Sequence, residues 1–321
     1  MLRQAQLERS VDSAVAVEAK DLVKDFGGTR AVDGINLAVP KGSIYGILGP
    51  NGAGKTTTLR MLLGIIAPSS GSVSLLGRSR PLDAAPEVGY LPEERGLYPA
   101  MHAHDAIAFM AALRGLPLAE GRRRAETLLT EYGLGEWAKR PIRQLSKGMA
   151  QTVQLLGTLV HEPRLIVLDE PFSGLDAINQ AKLEGLIREQ AAQGVTVIFS
   201  THVISHAERL CEQVAIVAKG KLVFEGSVDE ARNRLRPIVR LRTREQDGAW
   251  RSALPADARH EGRDWVFELP PGGPEPLLKA LIDGQAGIET LAIERPGLHD
   301  AFIAIAGEAA AAAMGQAESA K

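Results

Sequence analysis

The sequence holds one cysteine, Cys211, among 321 residues, which excludes an intramolecular disulfide and any Cys-rich metal site. A lone thiol fits a reducing compartment and reads here as a small buried residue. No apolar run approaches the roughly 18 residues of a membrane-spanning helix. The segment Met1–Ser10 is polar and has no signal-peptide core. Charge of one sign is also missing: 37 Lys and Arg stand against 39 Asp and Glu, a formal net charge of −2. That balance gives no electrostatic reason to expect nucleic-acid binding. There is no internal repeat. What remains is an ordinary globular composition, 45% hydrophobic and 24% charged, long enough to bury a real core. At about 100–200 residues per domain it suggests two domains. The chain is expected to be soluble, yet free to work against a membrane.

Residues 1–15 show no period and read as a frayed leader. Short apolar strands punctuated by glycine follow, at Ile35–Val39, Ser43–Leu48, Ser72–Leu76, Leu165–Leu168 and Val195–Ser200. Several are continuous apolar runs, as in strands buried on both faces. The helical stretches between the later ones indicate an α/β domain with a largely parallel sheet. Between about 96 and 161 the texture turns helical, at Ala103–Arg114 and Ala119–Tyr132, and this is read as a helical insertion. Val214–Ala218 and Leu222–Phe224 form a hairpin with its turn at Lys219-Gly220-Lys221.

A second, small α+β unit is expected over 236–308, after a first domain spanning 16–235. Val239, Leu241 and Thr243 alternate with Arg240, Arg242 and Arg244, a half-buried strand. The arginine stripe could bind an anion; the preferred reading is a solvated edge that discourages strand pairing. Trp265–Leu269 and Ile288–Glu294 read as strands, Leu277–Ile282 and Leu298–Ala306 as helices. The Ala-rich tail, 309–321, is expected to be frayed helix or disorder.

The run Gly49-Pro50-Asn51-Gly52-Ala53-Gly54-Lys55-Thr56-Thr57 fits G-x-x-x-x-G-K-[ST] between the strand Ser43–Leu48 and the helical run Thr57–Leu63. Its glycines let backbone N–H groups turn inward around phosphate oxygens. The following helix points its positive end at the same anion. Lys55 would reach the β- and γ-phosphates, and the Thr56 hydroxyl would ligate Mg²⁺. This is a nucleotide site. The buried strand Leu165–Leu168 then ends in Asp169 and Glu170. Beside a phosphate loop, Asp169 would hold Mg²⁺ through its water shell and Glu170 would polarise the attacking water. His102 and His104, two residues apart, are poorly spaced for a helical metal site and read as a solvated loop.

With Leu145-Ser146-Lys147-Gly148-Met149, Ser173-Gly174-Leu175-Asp176 and Thr201-His202, these motifs stand in the order found in ATP-binding cassette (ABC) ATPases. The resemblance covers about residues 17–230. It implies an α/β fold, a P-loop ABC ATPase core with a helical subdomain, and ATP and Mg²⁺ as ligands. It implies that Leu145–Met149 closes over the ATP of an opposite subunit through Ser146, Gly148 and Met149, with Asp176 also at the nucleotide. On its own, Ser146 is simply a helix N-cap. The resemblance makes Phe26 the aromatic that stacks on adenine and His202 the switch histidine that contacts the γ-phosphate.

Two departures from the common pattern stand out. Glu93 follows Gly89-Tyr90-Leu91-Pro92 where glutamine is usual; its carboxylate can still ligate Mg²⁺, at the cost of added negative charge. Lys147 and Met149 occupy signature positions where Gly and Gln are common. The run Leu91–Pro99 and the later Leu298–Ile303 resemble the ATPases of ABC-2-type exporters of the sodium-extrusion branch. A homodimer on the cytoplasmic face of the membrane, driving a separate permease, is the function this implies. An ABC ATPase acting on ribosomes or nucleic acid, and a regulatory module, are the rival readings.

Overall fold

The structure, a computed structural model, describes residues 14–94, 96–245 and 247–307. The chain divides after Ser227 into two compact units; the division expected from the sequence lay slightly later, at 235/236. No helix among the described residues is long and apolar enough to cross a membrane.

The first unit opens with β1 (Val15–Phe26) and β2 (Thr29–Pro40), an antiparallel pair. Gly27 and Gly28 make the turn at φ of 60° and 98°, the conformation a tight two-residue hairpin requires. The leader read over 1–15 is corrected at its end: Val15 pairs with Pro40, and the Ala14 carbonyl accepts from Lys41 N–H at 2.9 Å. The rest of that leader, like the Ala-rich tail, lies outside the described residues. The strand escapes a period-two reading because its register shifts, including between Ala19 and Leu22, break the alternation. Val17, Ala19 and Leu22 nevertheless point into the core.

Next come β3 (Ile44–Leu48), α1 (Lys55–Leu62), β4 (Ser70–Leu75) and β5 (Val88–Leu91). Strands β2, β1 and β4 form a three-stranded sheet with β1 in the middle. The helical insertion then folds as α2 (Ala103–Ala112), α3 (Leu118–Glu131) and α4 (Lys147–Leu159). It has its own core, built on Ile107, Leu129, Val153 and Leu156. His104 belongs to the first turn of α2 and not to a solvated loop, whereas His102, the N-cap residue, is exposed. The His104 side chain is 14% exposed, and its Nδ1 faces the Ala138 carbonyl.

The chain returns through β6 (Leu165–Asp169), α5 (Ala177–Ala192), β7 (Thr196–Thr201), α6 (Ile204–Leu210), β8 (Gln213–Ala218) and β9 (Lys221–Ser227). Lys219 and Gly220, at φ of 49° and 79°, make the β8–β9 turn, so Lys221 already belongs to the strand. The six-stranded sheet runs β5-β6-β7-β3-β8-β9. All its pairings are parallel except the final hairpin. Every residue of β3, β6 and β7 is buried, which explains apolar runs such as Leu165–Leu168 and Val197–Phe199. Because β7 lies between β3 and β6, the loops leaving all three emerge side by side at the C-terminal edge of the sheet. That edge is where open α/β sheets bind ligands. Glu225 ties the two sheets together, its Oε1 accepting from the Tyr45 hydroxyl at 2.7 Å and from Ala38 N–H at 3.0 Å.

The second unit contains α7 (Val228–Arg232), β10 (Ile238–Thr243), β11 (Arg259–Glu261), β12 (Asp264–Glu268), α8 (Pro274–Asp283), β13 (Ile288–Glu294) and α9 (298–307). Its antiparallel sheet has the order β11-β12-β10-β13. Strand β10 is therefore internal, which corrects the edge-strand reading of the arginine stripe. Arg240 pairs with Glu261 at 3.1 Å and Glu294 at 3.4 Å, and Arg242 pairs with Asp264 at 2.7 Å. The stripe is matched by carboxylates on both neighbouring strands, so its charge stabilises the register it seemed to oppose. Val239, Leu241, Trp250, Trp265 and Leu281 form the core beneath.

His161, just after α4, gives the first unit a measurable acid response. Its Nε2 meets the Val88 carbonyl at 3.2 Å. Burial, reinforced by nearby Arg114, pushes the imidazole down to about 4. The folded state thus keeps His161 neutral where the unfolded chain, near 6.5, takes up a proton. Stability tied to this group is full above pH 6.5 and is lost as pH falls towards 4, by up to about 1.4 kcal/mol per pH unit. His161→Gln, which retains a donor for Val88, should flatten that acid limb in urea denaturation series; parallel limbs for the two proteins would contradict this assignment.

Candidate functional site

The phosphate loop, Gly49–Thr56, connects β3 to α1 and is packed from beneath by backbone. A Cβ on Gly49 would lie 2.3 Å from the Val217 carbonyl oxygen, and one on Gly54 would lie 2.5 Å from that of Ala31. Gly54 also sits at φ 103°. Both glycines are required by space, and Gly54 by conformation as well. Within the loop Lys55 is 6% exposed. Its Nζ donates to the carbonyls of Gly49 at 2.8 Å and Pro50 at 3.2 Å and forms an ion pair with Glu170 Oε1 at 3.1 Å. Two carbonyls thus take hydrogen bonds from the ammonium, and Glu170 balances its charge without accepting one. The loop is shaped around its lysine.

Asp169 and Glu170 end β6. Asp169 is fully buried. Its Oδ1 accepts from the Ser200 hydroxyl at 2.6 Å and the Thr56 hydroxyl at 3.1 Å. Its other oxygen, Oδ2, is buried with no hydrogen-bond partner among the described residues. An orphaned carboxylate oxygen is costly in the interior. A divalent cation would relieve that cost, and hard oxygen donors from Thr56 and Asp169 suit Mg²⁺. The residues present therefore fit the metal.

Glu170 adopts φ 46°, a left-handed conformation uncommon for a residue with a side chain. Such strain persists only where the surroundings over-determine it. Here the Ser200 hydroxyl oxygen accepts from Glu170 N–H at 3.0 Å, Lys55 holds one carboxylate oxygen, and His202 Nδ1 lies 2.9 Å from the other. His202 is itself exposed. A buried carboxylate is thus held between a buried cation and an imidazole open to solvent. Ser200 was assigned no role from the sequence, although one hydroxyl at the end of an apolar strand serves both acidic residues. Its signal in the sequence is a hydroxyl that directly follows the apolar run Val197–Phe199.

Phe26, Glu93 and Glu170 line one cleft of about 520 Å³ with Asn51, Gly52, Ala53, Gly54, Lys55, Thr56 and Thr57. Phe26 closes β1 and is 51% exposed; its ring has the Lys24 ammonium 5.1 Å from its centroid. Glu93 is exposed just beyond β5. The signature residues do not line this cleft. Ser146 caps α4, its hydroxyl accepting from Met149 N–H at 3.2 Å. Gly148 lies against Asn179, where a Cβ would come within 2.8 Å of the amide nitrogen. Met149 lines a separate crevice with Leu91 and Leu183. Asp176 caps α5 by accepting from both nitrogens of Asn179 at 2.9 Å. The predicted site residues therefore fall into two groups within one chain: a phosphate-loop cleft, and a pair of helix starts apart from it. The buried Cys211 lies below the sheet, where burial pushes its thiol up and leaves it inert.

Comparison with known proteins agrees with this geometry. A family described as ABC transporter matches residues 32–173. An uncharacterized ABC transporter ATP-binding protein of Bacillus subtilis, YhaQ, is 35% identical over 284 residues, covering 88% of this chain and 95% of that protein. The daunorubicin/doxorubicin resistance ATP-binding protein of Streptomyces peucetius is 34% identical over 231 residues, 71% of this chain and 70% of its own length. A solved structure of an ATP binding subunit of an ABC transporter aligns with a TM-score of 0.63 and 31% identity, over 68% of this chain and 92% of that one. With the phosphate loop, the acidic strand end and the helical subdomain set in one α/β architecture, this chain belongs to the ABC transporter family as one of its ATP-binding proteins.

Proposed function

We propose that this chain hydrolyses ATP, and that it does so to power export through a separate ABC-2-type membrane permease. The observation that carries the hydrolytic reading is the pair of buried carboxylates beside the phosphate loop. One keeps an oxygen without a partner, and the other is held between Lys55 and His202. The loop N–H groups and Lys55 bind the phosphates, and Phe26 stacks on the base. Mg²⁺, when bound, neutralises phosphate charge; Thr56, Asp169 and Glu93 are the residues that would hold it.

Glu170 acts as general base, accepting a proton from the attacking water. His202 orients Glu170 and contacts the γ-phosphate. Phosphate binding draws Lys55 away from Glu170, which frees the carboxylate to take that proton. The strained backbone of Glu170 supports this role, since a φ of 46° aims the side chain into the cleft from the end of a strand.

Ser146, Gly148, Met149 and Asp176 stand apart from their own chain's cleft. Their placement supports a head-to-tail homodimer in which each signature helix start closes on the ATP of its partner. A transported substance would be selected by the permease. The relative from Streptomyces peucetius, named for resistance to daunorubicin and doxorubicin, supports the export direction. A peripheral position on the cytoplasmic face of the membrane follows from that partnership.

Two variants test the reading. Glu170→Gln should keep ATP binding while slowing hydrolysis roughly 10²–10⁴-fold, the scale of losing a positioned base; near-normal turnover would remove Glu170 from that role. Ser146→Arg should fold and bind ATP, yet fail to form an ATP-induced dimer in light scattering. A dimer that still forms would rule out the head-to-tail arrangement.

A further inference from the structure

Behind the Glu170–His202 pair lies a buried polar cluster that the chemistry above does not use. Helix α6 begins two residues after His202 and is only seven residues long. A helix that short does not hold itself together in water, and its N-cap residue, Val203, makes no side-chain capping bond. Its orientation must come from the side chains on its buried face. One of these is His206, 4% exposed.

The His206 ring stacks on Phe172, with centroids 3.9 Å apart and planes within 7°. Phe172 lies two residues beyond Glu170 and also packs edge-on against Phe199 of β7, at 5.8 Å and 80°. From α5, the buried Glu184 faces His206 Nδ1 at 3.1 Å and accepts from Arg209 Nη2 at 2.5 Å. Arg209 holds the Glu184 carboxylate below the usual range, against the opposing effect of burial. The contacts close a circuit. It runs from Glu170 along the chain to Phe172, across the stack to His206, back along α6 to His202, and across 2.9 Å to Glu170 again.

We infer that His206 is a positioning residue for ATP hydrolysis: its stack on Phe172, anchored by Glu184, holds His202 and Glu170 in register with each other. The inference rests on the hydrolytic reading of that pair. Lys55 touches the circuit only through its ion pair with Glu170 and is held independently by the carbonyls of Gly49 and Pro50, so nucleotide binding should depend on the circuit far less than hydrolysis does. Releasing the stack lets α6 and the loop after Glu170 shift independently, and small misplacements of reacting groups cost large factors in rate.

The test uses the full chain. His206→Ala should lower kcat by about 10- to 100-fold while ATP affinity, measured by calorimetry, stays within about twofold of wild type. His206→Phe, which keeps a ring against Phe172 and leaves Arg209 on Glu184, should recover most of the rate. Phe172→Leu, which breaks the same stack from the other side, should reproduce the kcat loss if His206→Ala fails to fold. In a His202→Ala background, His206→Ala should cost little more, because the register it maintains has already lost one member. Normal kcat in His206→Ala and Phe172→Leu would overturn the inference. So would a loss that multiplies fully with His202→Ala, or one shared equally by kcat and affinity, since each marks a general structural role. If Glu170→Gln and His202→Ala leave hydrolysis intact, the reading of the site itself fails; if they slow it and His206→Ala does not, only this inference falls.

Discussion

The interaction on which the rest of the site depends is the Ser200 hydroxyl between Asp169 and Glu170. Two adjacent carboxylates buried at a strand end repel each other and lose their hydration. One hydroxyl holds both residues, donating to the Asp169 carboxylate at Oδ1, 2.6 Å away, and accepting from the backbone N–H of Glu170 at 3.0 Å. It comes from the neighbouring strand, β7, in a pairing that sets Asp169 opposite Ser200. A one-residue slip would turn Ser200 to the other face and leave both groups without it. Sheet register and site chemistry are therefore one constraint.

The same register brings in the cations. Strand β3 lies on the other side of β7, so the loop it launches delivers Lys55 to Glu170, and His202 follows directly from β7. Each carboxylate is then compensated differently. Among the described residues, each keeps one oxygen without a hydrogen bond. The Glu170 oxygen is paired with the Lys55 cation and its other oxygen meets an imidazole, whereas Asp169 has two hydroxyls on one oxygen and, among the described residues, no cation on the other. Removing one partner from such a set leaves a buried charge behind, which costs far more than the net value of the pair. This asymmetry explains why the site reads as poised for a metal on one side and for proton transfer on the other.

Much of this was legible in the sequence where the local signal and the tertiary role coincide. The phosphate loop needs glycines for its own backbone, and β3, β6 and β7 carry apolar runs, Leu165–Leu168 and Val197–Phe199 among them, because both faces are covered. The helical insertion was legible for a similar reason, since its core-facing residues recur at helical spacing. Legibility failed where long-range pairing decides. Strand β1 hides behind its bulges, and the arginines of β10 suggest an edge until Asp264, Glu261 and Glu294 arrive from other strands. Ser200 and His206 were passed over because neither has a meaning until β6 and α5 are beside it. Ser146 and Asp176 show the opposite case, with a clear local capping role beside a proposed one that needs a second chain.

The proposed Mg²⁺ position beside bound ATP is the unpartnered oxygen of Asp169 with the Thr56 hydroxyl. It is tested most directly by ATP affinity with and without Mg²⁺, for the wild-type chain and for Asp169→Asn, which keeps shape while removing the charge. Metal-free affinities should be similar for the two proteins, with the Mg²⁺-dependent gain largely lost in Asp169→Asn. An equal gain from Mg²⁺ in both proteins would contradict it.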